Sequence, residues 1–274
     1  MIDINEIVNT FLEAACAPRA GGHTSGDLRD ALTILAEHPD LAGRSIHAAA
    51  ALGDADRVRA FLLEGPEQAT IQGGPRGWGP LSHLCFSRFL RLDPARSDGF
   101  VQAARALLDA GASANSGWWE CDHQPHPEWE SVLYGAAGVA HHEGLTRLLL
   151  AHGADPNDGE TTYHAPESYE MGVLKALVES GRLSAQSLAT MLLRKADWHH
   201  FEGIKYLLEN GADPNLMTPW GKTALHNALI SDNALEIIAV LLEHHADPAI
   251  EGDSGHGRQG PRRSAIALAA RRGR

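Results

Sequence analysis

Apolar residues along the chain gather into short clusters, each closing a stretch of helical periodicity. The clusters are Phe61-Leu62-Leu63, Ala106-Leu107-Leu108, Leu148-Leu149-Leu150, Tyr206-Leu207-Leu208 and Val240-Leu241-Leu242. Such stretches carry one apolar face, which predicts helices packed on one side. Gly65, Gly111, Gly153 and Gly211 follow the first four, and His245 stands in the equivalent place after the last. A glycine there can take the left-handed conformation that ends a helix. The turn that follows is Gly153-Ala154-Asp155-Pro156-Asn157 and again Gly211-Ala212-Asp213-Pro214-Asn215. Degenerate copies stand at Gly111-Ala112-Ser113-Ala114-Asn115 and His245-Ala246-Asp247-Pro248. Asp, Pro and Asn favour such turns through side-chain hydrogen bonds and a fixed φ.

A second, shorter element precedes these helices. Thr223-Ala224-Leu225-His226-Asn227-Ala228 and Ser264-Ala265-Ile266-Ala267-Leu268-Ala269-Ala270 open on a hydroxyl residue that can cap a helix. Their alanines let a short helix pack close to its neighbour. Weaker copies start at Arg44, Gly79, Ser131 and Thr161.

Together these motifs resemble the ankyrin repeat over about residues 44–274, with a Thr-Pro-Leu-His-type opening and a closing Gly-Ala-Asp-Pro-Asn. The resemblance implies an all-α ankyrin solenoid of stacked helix-turn-helix units with finger loops. The step from Gly211 to His245 is 34 residues, near the family period of roughly 33. The steps Gly65–Gly111, Gly111–Gly153 and Gly153–Gly211 are 46, 42 and 58, and the last divides at Gly181 into 28 and 30. The expectation is six complete or degenerate repeats and one half repeat. Insertions fall at 88–98, within an inter-helix loop, and at 116–130 and 253–263, within finger loops. Residues 1–43 do not match the repeat. Helical periodicity at Ile4–Ala15 and Gly26–Glu37 predicts an N-terminal cap that covers the apolar side of the first repeat. Arg274 follows an inner helix with no outer partner, which suggests a fragment of a longer array.

Charge narrows the partners. The chain holds 23 basic and 35 acidic residues, a formal −12. Six arginines lie from Arg258 onward with no acid, leaving 17 basic against 35 acidic groups before them. Phosphate-rich partners favour the opposite sign, so neither nucleic acid nor an anionic membrane is expected. Cys16, Cys85 and Cys121 are too few for a disulfide framework, and the acidic N-terminus is no secretory signal. A cytosolic location is the expectation.

No catalytic motif is complete. Gly221-Lys222-Thr223 resembles the end of a phosphate-binding loop, but Leu216 stands where that loop needs glycine. His142-Glu143 starts like a zinc-protease helix, but Thr146 replaces the second histidine. His141-His142 recurs as His199-His200 in the matching inter-helix loop, so a structural role suffices. Gly252-Asp253-Ser254-Gly255 echoes a serine-protease loop without the rest of such an enzyme. The chain is read as no enzyme, with no cofactor. Cys121, His123 and His126 offer metal-ligand chemistry, but their spacing fits no standard zinc pattern.

The 116–130 finger carries Trp118, Trp119 and Trp129 within twelve residues. Two readings stand: an aromatic hot spot for a partner, or a satellite core folded back on the array. Tyr163, Tyr169 and Trp220 fall on later fingers. The family resemblance implies that finger tips and inner helices line a concave binding face, so these six side chains would share one surface. The expected function is a protein-binding scaffold whose partner bears a basic patch. The alternatives are a regulatory or sensory fragment of a longer protein, and a small-ligand or metal-binding module at the 116–130 loop.

Overall fold

The computed structural model describes residues 3–122, 126–255 and 260–273. It divides into two compact units, Met1–Thr161 and Thr162–Arg274.

The first unit opens on α1 (Ile4–Ala15), which Asp3 caps by accepting a hydrogen bond from Asn5 N at 3.1 Å. Its apolar stripe of Val8, Phe11, Leu12 and Ala15 is buried against α2 (Arg29–Glu37) and α3 (Ile46–Ala51). Every residue of α3 is buried. The alanines at four of its six positions allow that close approach. The outer helix α4 (Ala55–Glu64) runs back across it. The next inner helix, α5 (Pro80–Cys85), is likewise buried along its length.

Residues 88–98, read as a long loop, instead form α6 (Arg88–Leu92) and a 3-10 turn at Pro94–Arg96. Ser87 is the cause: its hydroxyl accepts from Phe89 N at 3.1 Å and donates to Ala51 O at 2.5 Å. The cap drives Phe89 and Leu90 into the core, where Phe89 meets Phe11 at 6.3 Å between ring centroids. Arg88 adds a hydrogen bond of 2.6 Å to Ala14 O at the end of α1. The insertion thus ties the N-terminal helices to the array.

The outer helix α7 (Ser97–Asp109) leads to a hairpin of β1 (Gly117–Glu120) and β2 (Glu128–Ser131). Its antiparallel register pairs Trp118 with Glu130, Trp119 with Trp129 and Glu120 with Glu128. Ser131 ends β2 and caps α8 (Val132–Tyr134), accepting from Tyr134 N at 2.9 Å. A π-helical segment, Gly135–Val139, follows. A Cβ on Gly135 would stand 2.8 Å from the Phe86 ring and 2.9 Å from Cys85 O, so only glycine permits this approach to α5. The outer helix α9 (Glu143–Ala151) is capped by His142, whose Nδ1 accepts from Leu145 N at 3.0 Å.

In the second unit, inner and outer helices alternate after α10 (Glu160–His164). They are α11 (Gly172–Glu179), α12 (Ala185–Asp197), α13 (Phe201–Glu209), α14 (Ala224–Ile230) and α15 (Leu235–Glu243). A second hairpin, β3 (Glu251–Asp253) with β4 (Arg262–Ser264), leads to α16 (Ala265–Arg271). Inner helices α12, α14 and α16 pack in series, as do outer helices α13 and α15. Thr223, Ser184 and Ser264 cap the three inner helices through their side chains. At α14 the cap is reciprocal, with His226 returning to the Thr223 backbone.

The closing asparagine of the turn motif joins consecutive repeats. Asn115 donates to Gly153 O at 3.0 Å and accepts from Asp155 N at 2.7 Å. Asn215 repeats the pair on His245 O at 2.9 Å and Asp247 N at 2.6 Å.

Candidate functional site

The two faces of the β1–β2 hairpin separate the tryptophans. Successive strand residues point to opposite sides. Trp118 therefore turns inward and is buried, while its neighbour Trp119 is 56% exposed. Trp118 stacks on Trp78 with centroids 4.0 Å apart and meets the edge of Phe86 at 4.2 Å. It packs into the core, as the satellite-core reading expects, and reaches solvent only along the cleft described below. Trp119 and its cross-strand partner Trp129 pair edge-to-face at 5.2 Å on the other side.

These residues line a cleft of about 480 Å³ in the first unit. Its walls include the Trp78–Trp118 stack, Trp119, Trp129, Arg19 and Arg76. The Arg76 guanidinium lies 4.8 Å from the Trp78 ring centroid and pairs with Glu13 at 2.7 Å. Its charge is thereby largely spent within the fold, while Arg19 is exposed.

Behind Trp118 lies a buried polar group. His23 Nδ1 stands 2.9 Å from Tyr134 Oη, and its Nε2 lies 3.6 Å from Glu120 Oε2. Glu120 Oε1 accepts from Gly21 N at 3.1 Å. Burial, then the neighbouring carboxylates of Glu160 and Glu120, raises the Glu130 carboxyl well above the usual carboxylate range. Neither His23 nor the roles of Glu120 and Glu130 were visible in the sequence, because 97 residues separate His23 from Glu120.

The other aromatic candidates lie in the second unit. Tyr163 falls inside α10 and not on a loop, because Asp158 accepts from Thr161 N at 2.7 Å and starts the helix early. Its ring lies 5.2 Å from Trp220, with the Arg194 guanidinium 4.0 Å from its centroid. Tyr169 is exposed and packs separately, 5.8 Å from Trp198 and 5.3 Å from His200. Among the proposed metal ligands of the finger, Cys121 and His126 are exposed, and His123 lies outside the described residues. Asp253 accepts from Gly255 N at 2.7 Å and Gly260 N at 2.9 Å, so its motif is a turn. Lys222 is buried, and Thr223 is spent capping α14.

The family model for "Ankyrin repeats (3 copies)" matches residues 172–252 and 191–274. The chain carries ankyrin repeats. It is 34% identical over 114 residues to a Rickettsia bellii (strain RML369-C) protein described as an ankyrin repeat protein, covering 40% of this chain and 46% of that one. It is 39% identical over 54 residues to ankyrin repeat protein L92 of Acanthamoeba polyphaga mimivirus, or 20% of this chain and 13% of that one. The chain thus spans less than half the length of these curated relatives. In fold it is similar to the human ASB11 ankyrin repeat domain, with a TM-score of 0.55 and 19% identity over 82% of this chain and 96% of that one. The ankyrin repeat domain of Bcl-3 gives 0.50 and 23% over 67% and 80%. At those identities the likeness concerns the ankyrin fold alone. The aromatic cleft lies in the unit outside the family-model match. Among the described residues, no helix is long and apolar enough to cross a membrane.

Proposed function

We propose that the chain is a non-catalytic ankyrin scaffold that holds another protein through the cleft of its first unit. The observation that carries this reading is the position of Trp119. A large apolar side chain more than half exposed at the mouth of a concave cleft, beside a second tryptophan, has the make-up of an interface anchor. The Trp78–Trp118 stack supplies the rigid floor that such an anchor needs. The partner's inserted side chain is apolar or aromatic, and exposed Arg19 at the rim favours a carboxylate or carbonyl next to it. Elsewhere the acid excess of the chain attracts a basic surface, which raises the association rate more than the affinity. Tyr163, Tyr169 and Trp220 are secondary contacts in this proposal. The repeat fold supports a scaffold, since its function resides in surface residues and not in a conserved catalytic framework.

The test is a photo-crosslinking residue placed at Trp119, with a control at Leu63, which is 89% exposed on α4. In extract from the source cell, position 119 should capture one dominant polypeptide and position 63 should not. Equal capture at both positions, or none at 119, refutes the assignment.

A further inference from the structure

We propose that His23, Glu120 and Glu130 form a zinc site that locks the segment between α1 and α2 to the β1–β2 hairpin. Each residue offers one donor atom, and the three atoms lie within 4.8 Å of one another. The shortest donor pair is His23 Nε2 with Glu120 Oε2 at 3.6 Å, while Glu130 Oε2 lies 3.7 Å from the other ring nitrogen, Nδ1. Zinc bonds of about 2.0–2.2 Å in tetrahedral geometry set donors about 3.3–3.6 Å apart; the Nε2–Glu120 pair already has that spacing, and Glu130 reaches it by shifting toward Nε2. All three are buried.

The independent mark of a ligand is Glu130. Its side chain is 1% exposed, and its Oε2 is a buried oxygen that receives no N–H or O–H hydrogen bond, 3.7 Å from His23 Nδ1. A buried acceptor left in this state is costly, and a cation relieves the cost. The surrounding charge points the same way. Glu120 and Glu128 stand directly opposite across the hairpin, an unfavourable pairing of like charges. Glu128, Glu130 and Glu160 bring a second trio of carboxylate oxygens within 4.8 Å.

The outer contacts suit metal ligation. In the zinc form, His23 Nδ1–H donates to Tyr134 Oη, which directs the Nε2 lone pair toward the ion. The Gly21 N–H orients Glu120 in the same manner. One imidazole and two carboxylates suit zinc, whereas calcium and magnesium call for shells richer in oxygen. Phe86 and Trp118 pack edge-on around the imidazole at 6.1 and 6.3 Å and shield the group from solvent. The site differs from the exposed Cys121 and His126, and it stands whether or not the cleft binds a partner.

The experiment uses the untagged intact chain, stripped with chelator and titrated calorimetrically with zinc chloride, with metal content measured after dialysis. One zinc per chain is expected, together with a higher melting temperature in zinc. Glu130→Gln and His23→Asn should each weaken binding at least about tenfold. Cys121→Ser and His126→Ala should leave it unchanged. Cobalt in place of zinc should show ligand-field bands without a thiolate charge-transfer band, a readout that needs no variant. The absence of saturable zinc binding overturns the proposal. So does unchanged binding in Glu130→Gln that keeps the wild-type circular dichroism, or a thiolate band in the cobalt form.

Discussion

Replacing Trp118 with alanine should cost the chain about 3–5 kcal/mol of stability, whereas the same change at the adjacent Trp119 should cost less than about 0.5 kcal/mol. The contrast follows from the strand. Trp118 is almost fully enclosed by Trp78, Phe86 and the cleft wall. A tryptophan buries roughly 150–250 Å², which at about 25 cal/mol per Å² gives about 4–6 kcal/mol as an upper figure. The β1–β2 hairpin lies at the surface and can settle partly into the space left, which lowers the estimate to the range above. Trp119 loses mainly its edge contact with Trp129. Urea denaturation followed by far-ultraviolet circular dichroism measures both variants, with the shift in midpoint giving the cost at constant slope. Equal losses for Trp118→Ala and Trp119→Ala would refute the inward–outward division of the hairpin. A large loss at Trp119 alone would invert it.

His245 holds φ at 67° with its side chain exposed, so His245→Gly should stabilise the chain by up to about 1 kcal/mol. A clear fall in Tm would contradict the strain. Asn215→Ala removes both hydrogen bonds to the next turn and should cost about 1–2 kcal/mol in the same denaturation assay, while Asn210→Ala on the preceding helix end should cost less. His83 has its pKa depressed to about 3 by burial, so the unfolded chain takes up this proton first as pH falls. The stability of the wild type relative to His83→Gln should therefore decline between pH 6.5 and about 3, by up to about 1.4 kcal/mol per unit. A pH-independent difference would show that His83 titrates normally.

The repeat was legible because its determinants are local. Gly211 and the Asp-Pro-Asn turn encode a helix stop within five residues, and Asn215 recurs because it must reach the next turn. The capping hydroxyls Thr223 and Ser264 were readable for the same reason. Arg88–Leu92 escaped notice because an amphipathic helix barely longer than one turn has too few positions to show a period, and only Ser87 marked its start. The tryptophans were found but not told apart. Read as a loop, Trp118 and Trp119 are equivalent, whereas the strand register places one in the core and the other in solvent. Trp78 and Arg76, from the preceding finger, complete the cleft through contacts across about forty residues that no local pattern records. A still longer separation, 97 residues from His23 to Glu120, hid the approach of His23 to the two glutamates.

The proposed protein partner seats on Trp119 in the first unit's cleft. The affinity of the crosslinked partner for Trp119→Ala, measured by calorimetry beside wild type and Leu63→Ala, tests it most directly. A loss of at least about 2 kcal/mol, roughly thirtyfold in Kd, is predicted for Trp119→Ala with its Tm unchanged and with Leu63→Ala at wild-type affinity. Wild-type affinity in a fully folded Trp119→Ala chain would rule out Trp119 as the anchor.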